Sequence, residues 1–282
     1  MKVYKTVKGL QAYIKKLKAK KKRIGYVPTL GALHRGHMSL IRKSNEKCDI
    51  TVCSIFVNPT QFNEVSDLDK YPRTYEADYA LLKENDCDVL FFPEPRQIYP
   101  PGNDTSIDID FKGLDTVMEG EFREGHFDGV AQVVKRLLEI VKPHELIMGQ
   151  KDFQQVAIVR HMMAHFKIKT KLVVSPTIRE DHGLAMSSRN ERLSKKMRSQ
   201  ASIIYETLMW IKQNQLKYKV ATLEMKALTK LSVLKFKPEY VSIIDGITLQ
   251  HIKDIKKSKY VAVCTAVWAG KVRLIDNIIL KE

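Results

Sequence analysis

A short apolar run at residues 24–27 leads into Pro28-Thr29-Leu30-Gly31-Ala32-Leu33-His34-Arg35-Gly36-His37-Met38-Ser39-Leu40, and this stretch constrains the chain more than any other. The run reads as a buried strand, and Leu40, Ile41 and the polar residues after them read as a helix start. Two glycines and two histidines therefore sit between a strand end and a helix N-terminus. Such a turn is a phosphate site. The glycines let backbone approach a ligand closely. The helix N-terminus offers unpaired N–H groups and a partial positive charge to an anion. Two imidazoles, three residues apart, add donors to the same spot. The competing reading is purely structural: the histidines cap the helix.

The alternation continues beyond this unit. Strands are expected at 24–27, 50–57, 89–92, 146–148 and 172–174, and helices at 39–47, 75–85, 130–141 and 153–166. Several of the strands are almost continuously apolar, as strands covered on both faces should be. Val130, Val133, Val134, Leu137, Leu138 and Val141 keep a helical spacing, with Asp128 as the expected N-cap and Pro143 beyond the end. Alternating strands and helices predict a doubly wound parallel sheet. The pattern changes after Ser175-Pro176. A polar stretch at 177–190 precedes helices at 194–213 and 222–234 and strands at 240–244, 260–267 and 272–275, with Gly270 turning the last two. That order predicts a smaller α+β domain, so the 282 residues divide into 1–176 and 177–282.

The formal charge is +16, with its densest basic run within KKLKAKKKR at 15–23. No aromatic residues interleave with that run, as a single-strand nucleic-acid platform requires. The run reads as a solvated helix face, and the charge as attraction for anionic substrates. No stretch approaches a membrane span and the N-terminus lacks an apolar signal core, so the cytoplasm is the expected compartment. Cys48, Cys53, Cys87 and Cys264 show no C-x-x-C spacing and read as reduced structural thiols. His161 and His165 lie four apart, but no glutamate follows His161, so the zinc-protease pattern is absent.

Four further sets carry chemistry. Asn58 and Gln61, within Phe56-Val57-Asn58-Pro59-Thr60-Gln61-Phe62, follow a strand end, where ligands of open parallel sheets bind. Their amides both donate and accept, which suits hydroxyl and carboxylate groups. Gly149-Gln150-Lys151-Asp152, with Gln154 and Gln155 after it, places a point charge for phosphate at another strand end. Asp152 could cap the next helix or hold a metal through water. Met186-Ser187-Ser188-Arg189 offers two hydroxyls and a guanidinium to terminal phosphates, near an expected hinge. The polar, glycine-rich stretch 119–129 is a candidate flap. Neither a Walker loop nor G-x-G-x-x-G is present, which disfavours a P-loop NTPase and the common dinucleotide fold.

The pieces PTLGALHRGH, SIFVNPTQF, YPRT, GHFDGV, GQKDFQQ, TIREDHGLAMSSRN and RLIDN, in this order, span nearly the whole chain. Together they resemble the pantoate–β-alanine ligase family, the pantothenate synthetases of coenzyme A biosynthesis. That family belongs to the nucleotidyltransferases with an H-x-G-H signature, related in core to class I aminoacyl-tRNA synthetases. The resemblance implies a Rossmann-like doubly wound parallel sheet domain that binds nucleotide and pantoate, followed by a smaller α+β lid domain. It implies ATP contacts at Leu30, Gly31, Ala32, Leu33, His34, Arg35, Gly36 and His37, at Gly149, Gln150, Lys151 and Asp152, at Ile178, and at Met186, Ser187, Ser188 and Arg189. His37 would be catalytic with His34 beside it, and Lys151 and Arg189 would join them on the phosphates. Gln61 and Gln155 would hold pantoate, Gln61 would also border β-alanine, and Asp78 would help hold Mg2+.

The implied reaction joins pantoate to β-alanine with ATP, through pantoyl adenylate, releasing AMP and pyrophosphate. The implied partners are these small molecules and a second copy of the chain, with no nucleic acid and no membrane. Leu30 stands where the family usually has Met, and Gln150 where it often has Glu. The first exchange conserves volume; the second weakens an ion contact without changing the reaction. Two other classes fit parts of the pattern: a different H-x-G-H nucleotidylyltransferase, which would not need β-alanine, and a basic nucleic-acid-binding protein, whose binding would be strongly salt-sensitive.

Overall fold

The computed structural model describes residues 1–61, 71–102, 104–233 and 235–282. Phe62, in the SIFVNPTQF stretch, and Leu234, at the end of the expected helix 222–234, lie outside the described residues. The chain divides into two compact units. The first comprises Met1–Phe111, Arg123–Gly149 and Ile158–Pro176; the second comprises Lys112–Phe122, Gln150–Ala157 and Thr177–Glu282. The last crossing falls where the sequence pattern changes. The segments Lys112–Phe122 and Gln150–Ala157, which the sequence reading assigned to the first part, cluster with the second. Gln154 shows why. It is buried, donates to the Leu114 and Val117 carbonyls (2.8 Å each) and accepts from the Glu119 N–H (3.0 Å).

The first unit holds six parallel strands: β1 (Lys2–Tyr4), β2 (Ile24–Thr29), β3 (Ile50–Ile55), β4 (Val89–Phe91), β5 (Glu145–Gly149) and β6 (Lys171–Ser175). They lie in the order β1-β4-β3-β2-β5-β6, all pairs parallel. β1 is an edge strand the sequence reading missed, because three residues carry no readable alternation. The order reverses direction at β2 and β5. With right-handed crossovers this sends helices to both faces and opens a crevice at the strand ends there. The longer helices are α1 (Val7–Ala19), α2 (Arg35–Lys47), α3 (Tyr75–Glu84), α4 (His126–Val141) and α5 (Phe153–His165), whose first turn belongs to the second unit.

Packing follows the apolar pattern. Met38 and Ile41 of α2 and Leu82 of α3 join Val27, Cys53, Ile55, Leu90 and Ile147 in one buried cluster. On α1, Leu10, Ile14 and Leu17 are buried while Lys15, Lys16 and Lys18 are exposed, so the basic run begins on a solvated helix face. α4 buries the expected apolar stripe, but its N-cap is Gly125, not Asp128. Gly125 adopts φ +70°, and Asp128 sits inside the first turn, where its charge favours the helix N-terminus. Burial pushes the Cys87 thiol up to about 12, in keeping with an inert structural thiol.

The second unit is built on an antiparallel sheet of β7 (Phe236–Asp245), β8 (Val261–Ala269) and β9 (Val272–Lys281), in that order. Ala269 pairs with Val272, so Gly270 and Lys271 close a tight hairpin. α6 (Ser202–Asn214) and α7 (Val220–Leu231) bury Ile204, Leu208, Ile211 and Leu223 against Ile243, Val263 and Val267. The helix expected at 194–213 is two helices, because Lys195–Gln200 ends at Ala201 before α6 begins. No helix among the described residues is long and apolar enough to cross a membrane.

Candidate active site

In the first unit, β2 ends at Thr29 and α2 begins at Arg35, earlier than the sequence reading placed it. His34 is the N-cap, so Arg35, Gly36 and His37 form the first helical turn. The His34 Nδ1 accepts from the Gly36 N–H (3.1 Å), and the His37 Nδ1 accepts from the His34 N–H (3.3 Å). A neutral imidazole that accepts at Nδ1 carries its proton on Nε2. Capping and ligand binding are therefore not alternatives. The cap uses Nδ1 and makes each ring an Nε2–H donor, with the two rings 4.1 Å apart.

The turn before them is held from α3. Ala32 adopts φ +49°, a left-handed conformation that costs a non-glycine residue about 1 kcal/mol or more. Asp78 maintains it. Its Oδ2 accepts from the Ala32 N–H (3.0 Å), and its Oδ1 accepts from the Leu33 N–H (2.7 Å) and the Thr74 hydroxyl (3.1 Å). The side chain is buried, with 2% exposure.

Past β3, Pro59–Gln61 forms one 3-10 turn. Asn58 is fully buried. Its Nδ2 donates to the Gly129 carbonyl (3.1 Å) and the Gln61 Oε1 (3.3 Å), and its Oδ1 accepts from the Tyr99 hydroxyl (2.7 Å). A Cβ on Gly129 would meet the Thr60 carbonyl oxygen at 2.3 Å, so only glycine lets α4 approach this turn. His126 completes the buttress. Its Nε2 accepts from Arg123 (3.0 Å), which leaves Nδ1–H to donate to the Gln61 carbonyl (2.8 Å). The stretch 119–129 is therefore not one flap. Residues 123–129 brace Gln61 in the first unit. Glu119 accepts two hydrogen bonds from Arg273 (2.6 and 2.9 Å) and one from the Tyr240 hydroxyl (2.8 Å) in the second.

In the second unit, Lys151, Ser187, Arg189, Asn190, Arg273 and Asp276 line a single small pocket. Two sets read separately in the sequence, GQKD and MSSR, thus meet. The segment leading into MSSR folds back on the preceding one, with an isolated Arg179–Ala185 bridge and the Met186 N–H donating to the Ile178 carbonyl (2.9 Å). Asn190 pins the turn by donating to Glu180 (2.7 Å) and the Ala185 carbonyl (3.0 Å). Arg179 makes a two-point ion pair with Asp276 (2.6 and 2.9 Å) and lies 3.9 Å from the Tyr205 ring centroid. Burial pushes the Asp276 carboxyl above its ordinary value while Arg179 pulls it down. Asn277 grips the backbone of the GQKD turn. Gln155 is half-buried on α5, apart from this pocket lining.

The family profile for pantoate–β-alanine ligase matches residues 2–279. The chain belongs to the pantoate–β-alanine ligase family. It is 45% identical over 281 residues to the pantothenate synthetase of Azobacteroides pseudotrichonymphae, covering 99% of each chain. It is similar to the crystal structure of pantothenate synthetase from Thermus thermophilus, with TM-score 0.92, 35% identity and full coverage of both chains. It is also similar to the pantoate–β-alanine ligase of Francisella tularensis, solved with β-γ ATP and β-alanine: TM-score 0.82, 37% identity, 99% and 98% coverage.

Both Asp78 oxygens accept hydrogen bonds, from the Ala32 and Leu33 N–H groups and the Thr74 hydroxyl, so the buried carboxylate, expected to help hold Mg2+, also supports the turn before the histidines. Among the described residues, no three His, Cys, Asp or Glu side chains gather into a metal site. His161 contacts the Asp110 carbonyl (2.9 Å). The sequence reading missed His126, Arg179, Asp276 and Asn277 as site supports. Their one sequence signal was membership of the GHFDGV, TIRE and RLIDN pieces.

Proposed function

We propose that this chain condenses pantoate with β-alanine, using ATP, to give pantothenate, AMP and pyrophosphate in two half-reactions. The supporting observation is the family match over residues 2–279 together with an H-x-G-H turn whose two rings both present Nε2–H. In the first half-reaction a pantoate carboxylate oxygen attacks the α-phosphorus of ATP. The bond from that phosphorus to the bridging oxygen breaks and pyrophosphate leaves. In the second, the neutral amine of β-alanine attacks the acyl carbon, the bond to AMP breaks, and the amine gives up a proton.

The residues present suit this sequence. A free carboxylate is a poor acyl donor and needs AMP as a leaving group. The first step gathers negative charge on phosphate oxygens, where fixed donors and cations are the main catalytic device. We assign His37 and His34 to that charge, with the backbone of Leu30, Gly31, Ala32 and Leu33 and the helix turn Arg35–Gly36 around them. Lys151, Ser187, Ser188 and Arg189 are assigned to the departing β- and γ-phosphates, with Gly149, Gln150, Asp152, Ile178 and Met186 completing the nucleotide contacts. Gln61 and Gln155 are assigned to pantoate, because amide donors suit its carboxylate and hydroxyl oxygens. Gln61 also borders β-alanine. The second step needs alignment of a neutral amine more than a strong base. A homodimer in the cytoplasm is part of this proposal and rests on family resemblance.

The deciding experiment identifies products after incubation with ATP, pantoate and β-alanine. Equal amounts of pantothenate, AMP and pyrophosphate are expected. Turnover indifferent to β-alanine would replace this reading with another nucleotidyl transfer, and ADP in place of AMP would replace it with phosphoryl transfer. Pantoate alone should support ATP–pyrophosphate exchange. Exchange that appears only with β-alanine would remove the adenylate.

A further inference from the structure

We propose that Asn277, on the closing strand β9, is a positioning residue that holds Lys151 in place for the departing phosphates. The proposal rests on the role assigned to Lys151 above. Asn277 is 2% exposed, and every polar group it owns is engaged. Its Nδ2 donates to the Gln150 carbonyl (3.1 Å) and the Lys151 carbonyl (2.8 Å), and its Oδ1 accepts from the Gln150 side chain (3.2 Å). Its own N–H donates to the Asp276 Oδ1 (2.7 Å). One side chain thus holds two consecutive carbonyls of the turn that carries Lys151. The neighbouring Asp276 holds Arg179, and through it the hairpin segment that carries Ser187 and Arg189.

This arrangement sets the backbone, not the charge. The Lys151 ammonium is supplied by its own side chain, which contacts Asp152 (3.2 Å). What Asn277 supplies is the place from which that side chain reaches. A backbone shift of about 1 Å at a site aimed at developing charge can cost about 100-fold in rate. Asn277→Ala leaves two half-buried carbonyls without their side-chain donor, and Asn277→Asp turns an oxygen toward them at unchanged size.

The test combines a readout without catalysis and one with it. Amide hydrogen exchange of peptides covering residues 150–152 should quicken in Asn277→Ala and Asn277→Asp, with exchange in the first unit unchanged. Unchanged exchange at 150–152 overturns the clamp, whatever the chain catalyses. Pyrophosphate exchange with pantoate should fall about 100-fold in each variant, with the KM for β-alanine in the full reaction unchanged. Because Asn277 acts through Lys151, the loss from Asn277→Ala should shrink to a few-fold at most in a Lys151→Ala background. Independent, multiplying losses overturn the positioning role. A wild-type chain that makes no pantothenate would instead sink the proposed function, and the hydrogen-exchange result would still decide the clamp.

Discussion

The H-x-G-H turn and the Lys151–Arg189 pocket are both assigned to phosphate, yet they are organised in opposite ways. The first is mostly self-organised. His34 and His37 cap the helix they start, through partners two and three residues away. The second is organised from a distance. Asn277 lies 126 residues from Lys151, and Asp276 lies 97 residues from Arg179. A local device carries its geometry with its sequence. A distant one exists only once the second unit's sheet has formed, so damage there spreads beyond the residue changed.

The largest effect should come from the distantly organised pocket. Arg189→Ala should slow adenylation by about 100- to 1,000-fold, the scale of losing a charge-assisted clamp. Aminolysis of supplied pantoyl adenylate should change far less, because the β- and γ-phosphates have gone. Single-turnover kinetics of each half-reaction separate the two. Equal slowing of both would show that Arg189 holds more than phosphate.

His37→Ala tests the local device and should lower turnover about 100-fold. Loss of its cap should cost only about 1 kcal/mol, so the variant should purify as a folded protein. Near-wild-type turnover in that protein would reduce the histidine pair to capping alone.

Asp78→Asn probes a distant support of the local turn. An amide at this position presents N–H to a backbone N–H, so about 1–3 kcal/mol of stability should be lost, read as a lower Tm. Turnover should fall about ten-fold from the displaced turn, with the magnesium dependence of activity unchanged. A large rise in the magnesium needed for half-maximal rate would show that Asp78 serves the metal as well.

The smallest effect should come from neither region. Replacing Lys20, Lys21 and Lys22 together with glutamine should leave turnover within a few-fold at physiological salt, the scale of lost electrostatic steering. Loss of activity together with loss of RNA binding would reopen the nucleic-acid reading.

Legibility followed the same division. The parallel sheet was readable because β2, β3, β4 and β5 are apolar almost throughout. The H-x-G-H turn was readable because strand, glycines, imidazoles and helix are contiguous. Boundaries were less so. α2 begins four residues before the expected Ser39, because a histidine cap is rarer than the Ser, Thr, Asp or Asn usually sought. Asp78 shows a contact that the sequence hid. The family resemblance implied a part in holding magnesium, and only the packed chain shows its carboxylate accepting from the Ala32 and Leu33 N–H groups.

The sequence by itself determined the alternating architecture, the family and the identity of the groups suited to phosphate and amide chemistry, because these depend on residue type and near-neighbour order. The tertiary structure alone decided which groups meet. It joined GQKD to MSSR in one pocket and set Asn277 beneath Lys151. It also divided 119–129 between two units and turned Asp78 inward. The physical reason is that a buried hydrogen bond needs a partner at about 3 Å, and only the packed chain specifies which distant residue supplies it.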